Sequence, residues 1–316
     1  MSVDISIQLA KINSVLETTI IKMITNHFPS NICKNVDELK NWIEKNPNKL
    51  ILRKPEQQIR LYLNPEFEMK LLDPLLSVDT IKTVFHYTSL DACFSILQSQ
   101  EIKITSIVGL NDKSEINFSD LFDVKEPYNQ KRIDKYHEKF IFSLSHLRDN
   151  LNQWRLYGDD GKGVCLHFRY NTSLDDSHFV YKKIYYGKGY IEFLKELGIA
   201  IKKIKNFKFV TSDRFFSYRY FFKNEAYKEE EEIRLMFLNE LKNKTSNWYL
   251  NRYNIINTCL TFHLNSSNFP LELWGLTLGP KCPHLQLNDA QLRKYIRENP
   301  KLRGLKIYKS QIDCYR

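Results

Sequence analysis

Several protein classes are excluded by what this 316-residue chain lacks. Its six cysteines, at 33, 93, 165, 259, 282 and 314, include no Cys-x-x-Cys pair, so no disulfide framework is expected. Eight histidines show no pair at metal-ligand spacing, and no metal is expected. No apolar run approaches the roughly 20 residues that span a bilayer. The N-terminus has no basic segment followed by an apolar core. These absences predict a cytoplasmic protein with no membrane partner, although export of an effector without a cleavable signal stays compatible with them. Internal repeats and low-complexity segments are also missing. Gly158, Gly161 and Gly163 do not form a phosphate-binding glycine loop, because they join a short helix to a strand, the reverse of that fingerprint.

What is present is ordinary globular material: 42% hydrophobic and 27% charged residues. Two features stand out. Aromatics reach 13%, and the formal net charge is +10, which favours an anionic partner such as nucleic acid, a nucleotide or an acidic surface. Residues 202–223 interleave Lys and Arg with aromatics, a pattern suited to stacking bases and neutralising phosphates. The plainer reading is an amphipathic helix from Asp213 that buries several of its rings.

Apolar residues at Ile5, Leu9, Ile12, Leu16, Ile20 and Met23 predict a helix over 4–27. Asp37 is placed to cap a second helix carrying Leu39, Trp42 and Ile43, and a third helical piece is expected over 55–63. Residues 1–80 therefore read as a helical N-terminal region, packed on the main domain or separable from it, and 81–316 as an α+β domain with a largely antiparallel sheet. In that domain strands are expected over 83–87, 101–107, 178–186, 248–264, 271–278 and 304–308. Helices are expected after Ser89, near 130–138, over 191–204 and, capped by Asn288, over 289–298.

The stretch 142–168 organises the domain. Phe142-Ser143-Leu144-Ser145 alternates with the period of a half-buried strand. Asn150 caps a short helix placing Trp154 and Tyr157 on one face, and Gly158 ends it. A turn through 159–163 returns the chain as a strand over 164–168. Ser143, Ser145, His146, Arg148, Asp149, Gln153 and Arg155 crowd this corner. Ser145 and His146 are neighbours on a strand and point apart, so they make no nucleophile–base pair. Further on, in Glu229 to Phe237, one strand face would carry Glu231, Ile233, Leu235 and Phe237. Glu230, Glu232 and Arg234 would share the other, either as a solvated edge or as a functional carboxylate pair with an ion-paired Arg.

An ordered set of short motifs resembles the bacterial domain of unknown function 2971 family over residues 84–316. The pieces are His86-Tyr87-Thr88-Ser89, Leu110-Asn111-Asp112 with Glu115, Phe142 to Ser145, Gln153-Trp154-Arg155 with Tyr157-Gly158, Gly161 to Val164, Glu230-x-Glu232-x-Arg234, Leu278-Gly279-Pro280 and the ending 310–316. The His-Tyr-Thr on a first strand, a Ser or Tyr position on a middle strand and Glu-x-Glu on a late strand are similar to ADP-ribosyltransferases of the His–Tyr–Glu type. That resemblance implies a split sheet and NAD as substrate. It implies His86 on a ribose hydroxyl, with Thr88, Ser143 and Ser145 nearby, and an aromatic (Tyr87, Trp154 or Tyr157) stacked on nicotinamide. Glu232 would stabilise the oxocarbenium-like transition state, and Glu230 would face the acceptor, a nucleic acid or a protein. Arg148, Arg155 or Arg234 would grip the pyrophosphate. A toxin-like or phage-defence setting follows from the wider superfamily. Two alternatives accompany it: a non-enzymatic protein that binds nucleic acid or another partner, and a metal-dependent nuclease using Asp159 and Asp160 with Glu230 or Glu232.

Overall fold

The computed structural model describes residues 2–27, 33–47, 49–53, 60–64, 82–107, 139–171, 179–187, 208–210, 217–238, 246–250, 254–313 and 315, with single positions at 66, 67, 70, 76, 78, 192, 196 and 199. The helices are α1 (Ser2–His27), α2 (Cys33–Lys45), α3 (Leu90–Ser99), α4 (Leu151–Leu156) and α5 (Leu285–Glu298). The strands are β1 (Ile51–Arg53), β2 (Arg60–Leu63), β3 (Thr83–Thr88), β4 (Glu101–Ser106), β5 (Lys139–Ser145), β6 (Val164–Tyr170), β7 (Phe179–Lys183), β8 (Tyr185–Tyr186), β9 (Lys208–Val210), β10 (Phe222–Lys223), β11 (Glu232–Leu238), β12 (Asn247–Leu250), β13 (Ile256–His263), β14 (Leu271–Leu278) and β15 (Lys306–Lys309).

The chain divides into two compact units. One comprises residues 1–77, 112–130 and 185–226. It contains α1 and α2, a small sheet of order β1-β2-β9, and a parallel β8–β10 pair. Trp42 packs on Phe67 and donates its indole N–H to Glu66 at 2.9 Å. Two expectations fail in this unit. Arg60–Leu63 is a strand, because its backbone pairs with β1 on one side and β9 on the other, and that pairing outweighs local helix preference. The second helix begins at Cys33, ahead of the expected cap at Asp37. The region is thus helical and stranded together. In 202–223, the described part is a strand, a 3₁₀ turn over Tyr218–Phe221 and a second strand; Tyr218, Phe221 and Phe222 are buried. Asp213 lies outside the described residues, as do the loop 110–115, the expected helix near 130–138 and most of 191–204.

The second unit comprises residues 78–111, 131–184 and 227–316 and is α+β. Its ten-stranded sheet follows the order β12-β13-β4-β5-β3-β6-β14-β15, with β11 on β5 and β7 beyond it. All its pairings are antiparallel except β14 with β15. The sheet forks at β5. One edge of β5 pairs with β11 along its whole length. The other edge is shared: Phe140 and Ile141 face β4, while Ser145 faces Phe85 of β3. Phe142 to Leu144 stand between the two branches.

Alternation along the strands sorts the two faces. Val84, Leu144, Leu166, Phe168, Ile233, Leu235, Phe237 and Leu276 build the main core, against Cys93 and Leu97 of α3 and Leu292 and Ile296 of α5. Ser89 caps α3, accepting from the Ala92 amide at 3.1 Å. α5 starts at Leu285, not after Asn288; the Asn288 side chain instead donates to the Pro283 carbonyl at 2.6 Å. The opposite face is more polar and carries Phe85, Tyr87, Cys165 and Trp154 as a small separate cluster.

Candidate active site

Four consecutive carboxylates at the start of β11 meet four different environments. Glu229 is exposed. Glu230 ends a 3₁₀ turn, outside the expected strand, and is buried; the Tyr157 hydroxyl donates to its Oε1 at 2.6 Å. Glu231 takes a left-handed φ of 43°, which a non-glycine residue rarely adopts, and its exposed carboxylate meets Nε2 of His146. Glu232 opens the strand and is 6% exposed, beside Arg234 at 3%. The guanidinium grips it through two bonds, Nε to Oε1 at 2.6 Å and a terminal nitrogen to Oε2 at 3.1 Å. Their share of the strand face is therefore a buried ion pair, and the solvated-edge reading is overturned.

Cross-strand register extends this corner. Glu232 pairs with Ser145, and Ser145 with Phe85, so these three side chains share one face. Ser145 donates to the Glu230 carbonyl at 3.2 Å and accepts from the Leu147 amide at 3.2 Å. Gln153 donates to the same carbonyl at 2.7 Å. Ser143 pairs with Arg234 and is exposed. The structure thus brings together Ser143, Ser145, Tyr157, Glu230, Glu232 and Arg234.

His86 meets this group through the Ser143 backbone. His86 is one residue out of the Phe85 row, so alternation turns it to the other face. Its ring lies 4.4 Å from that of Phe142, at the fork, and Nδ1 stands 3.0 Å from the Ser143 carbonyl. A carbonyl only accepts, so Nδ1 carries the proton in this contact. Two of the three aromatic candidates are also displaced from a stacking role. Trp154 is fully buried, edge-on to Tyr87 at 4.8 Å. Tyr87 is buried too; its hydroxyl donates to the Leu147 carbonyl at 2.9 Å and accepts from the Asn150 amide at 3.0 Å. Burial first, and the neighbouring Cys165 thiol second, push that hydroxyl well above its usual range. Tyr87 therefore pins the 146–150 loop. Tyr157 is the aromatic candidate that keeps partial exposure.

The remaining candidates belong to the rim and frame. Arg148 lies over the Tyr308 ring at 4.4 Å and Arg155 near Tyr315 at 5.6 Å, both exposed. Thr88 ends β3 and presents its carbonyl to Gly163. A Cβ on Gly163 would stand 2.1 Å from that oxygen, and one on Gly279 would stand 2.2 Å from the Gly161 oxygen. The glycine spacing is thus set by backbone crossing, with Gly279 donating to the Gly163 carbonyl at 2.9 Å. Asp149, one of the residues expected to crowd this corner, is a hydrogen-bond hub. It accepts from Trp154 at 2.8 Å, Ser310 at 2.6 Å and the Gln311 amide at 2.7 Å. Asp160 accepts from Tyr315 at 2.9 Å and faces Lys281 at 3.1 Å, which hold it below the usual carboxylate range. The motifs scattered over 86–315 therefore converge on one corner, apart from the 110–115 piece, which lies outside the described residues.

Among the described residues no group of three or more His, Cys, Asp or Glu could hold a metal ion. Nor is any described helix long and apolar enough to cross a membrane.

Residues 153–235 match the family model described as "Protein of unknown function (DUF2971)". The matched span runs from α4 to β11 and contains Trp154, Tyr157, the glycine turn and the Glu230–Arg234 run. No curated protein and no solved structure matches the chain.

Proposed function

We propose that the chain is an NAD-dependent ADP-ribosyltransferase, or an NAD glycohydrolase, acting on nucleic acid or protein in a toxin-like or phage-defence role. The observation that carries this reading is the Glu232 corner at the forked β5: a buried carboxylate gripped by Arg234, in one row with Ser145. Breaking the nicotinamide bond puts positive charge on the ribose, and a fixed carboxylate stabilises it. Nicotinamide leaves as a neutral molecule, so the step asks for no metal.

His86 is assigned to a ribose hydroxyl from the fork of β5, where its ring reaches across to the Ser143 carbonyl. Tyr157 is the ring for nicotinamide, because Trp154 is sealed in the core and Tyr87 is committed to the loop. Arg155 is the exposed guanidinium for the pyrophosphate, since Arg234 is engaged with Glu232 and Arg148 lies over Tyr308. Glu230, held by Tyr157, is the second carboxylate of the site.

The test is label transfer. Purified protein is incubated with NAD labelled on its adenylate, with cell lysate and separately with mixed nucleic acid. Label in the protein or nucleic-acid fraction, lost in Tyr157→Ala and His86→Ala variants that keep their circular dichroism, is expected. No NAD binding at millimolar concentration and no label in either fraction would sink the reading. The nuclease alternative has less support, because Asp160 is tied to Lys281 and Tyr315 while Glu230 is tied to Tyr157.

A further inference from the structure

The polar face of the second unit's sheet carries another group of side chains, on β6, β14 and β15. Alternation along β6 puts Cys165, His167 and Arg169 on this face. The β14 register slips between Leu273 and Gly275, which makes Trp274 the extra residue of a bulge. Its ring lands 5.1 Å from that of His167. Tyr308 of β15 stacks on His167 at 5.5 Å and 19°. A guanidinium covers each outer ring: Arg148 lies over Tyr308 at 4.4 Å and Arg169 over Trp274 at 6.0 Å.

Beneath these rings the polar atoms are poorly served. His167 is fully buried, with Nε2 2.8 Å from the Thr277 hydroxyl and Nδ1 without a partner. The buried Nε1 of Trp274 also lacks one. Burial, and then the charge of Arg148, push His167 down to about 3, so it stays neutral and adds no charge. The positive charge sits at the rim, on exposed Arg148, Arg169 and Lys306, against Glu272 at 3.5 Å from Arg169.

We propose that this face binds single-stranded nucleic acid. Bases stack on the Arg148–Tyr308 and Arg169–Trp274 pairs, while Arg148, Arg169 and Lys306 neutralise phosphates. The ring-and-guanidinium layers select the partner. A duplex hides its base faces, and an acidic peptide has charge without planar surfaces. The loop carrying Arg148 also carries His146, which pairs with Glu231 beside Glu232. A strand on this platform therefore runs toward the Glu232 corner. Binding is independent of NAD chemistry; where that reading holds, it names the acceptor.

The test uses the full chain and a fluorescein-labelled 20-nucleotide single strand of mixed sequence, as DNA and as RNA, read by anisotropy and tryptophan emission. Binding with tryptophan quenching is expected. Neutralising about three phosphates gives a log–log salt slope near −2, so affinity falls roughly 15-fold between 50 and 200 mM salt. Arg148→Ala/Arg169→Ala should weaken binding at least about tenfold and flatten the slope. Arg148→Lys/Arg169→Lys, which leaves the core untouched and keeps the charge, should fall between. A preference for DNA or for RNA identifies the natural strand. Equal binding of a duplex or of polyglutamate, or unchanged affinity in the double Ala variant, would overturn the proposal.

Discussion

Arg234→Met would leave the Glu232 carboxylate buried without its counter-charge. Both groups are almost sealed, at 6% and 3% exposed, and are joined by bonds of 2.6 and 3.1 Å. Removing one partner of such a pair costs about 3–5 kcal/mol, because the survivor stays desolvated. That is a large share of a typical stability of about 5–15 kcal/mol. Glu232→Gln should cost a comparable amount, because the buried guanidinium loses its counter-charge. The double change Glu232→Gln/Arg234→Met removes both charges and should lie within about 1–2 kcal/mol of the parent, giving a coupling of several kcal/mol. Urea unfolding followed by near-ultraviolet circular dichroism reads this directly. At a slope of roughly 2.5 kcal/mol per molar, each single variant should lose about 1–2 M in midpoint, and the double variant should recover most of it. Single losses below about 1 kcal/mol, or losses that simply add in the double variant, would refute the argument that the pair is a desolvated unit.

Two further outcomes follow from the frame of the site. His167 is neutral when folded, with its titration moved from 6.5 to about 3, so the unfolded chain binds a proton more readily below pH 6.5. Stability conferred by the neutral imidazole is complete above pH 6.5 and falls by about 1.4 kcal/mol per unit as pH drops toward 3; His167→Gln should flatten that slope in urea titrations between pH 7 and 4.5, and an identical slope would contradict it. Gly163→Ala drives a methyl carbon onto the Thr88 carbonyl oxygen, 2.1 Å away on rigid backbone; a loss of about 3 kcal/mol or more is expected in thermal melts, and a neutral effect would mean that the strand end gives way easily.

Local signals in the sequence reached further than long-range ones. The Ser89 and Asn150 caps, the short helix with Trp154, the strands on either side of it and the two faces of β11 are written in spacing a few residues long. Asn288 resembled a cap by the same logic, but its amide was drawn back to the Pro283 carbonyl once α5 started earlier. The fork at β5 had no local signature, because it depends on two strands from distant segments sharing one edge. Strand alternation, counted from the Phe85–Ser145 pair that the fork creates, is what puts His86 and Glu232 on different faces. The Asp149 hub joins residues 161 and 162 positions away in the chain, and the Trp274 bulge exists only relative to β6. A cue was available for His167: residues 165, 167 and 169 alternate onto one face of a strand whose other residues are core.

The measurement closest to the central claim is release of free nicotinamide from NAD by the purified chain, followed by chromatography with and without added single-stranded nucleic acid. The account predicts release by the parent protein. It also predicts a loss of at least about a hundredfold in Glu232→Gln at a temperature where that variant remains folded. No release by the parent protein, or release that Glu232→Gln leaves intact, would contradict it and leave the Glu232–Arg234 pair as a stabilising element of the sheet.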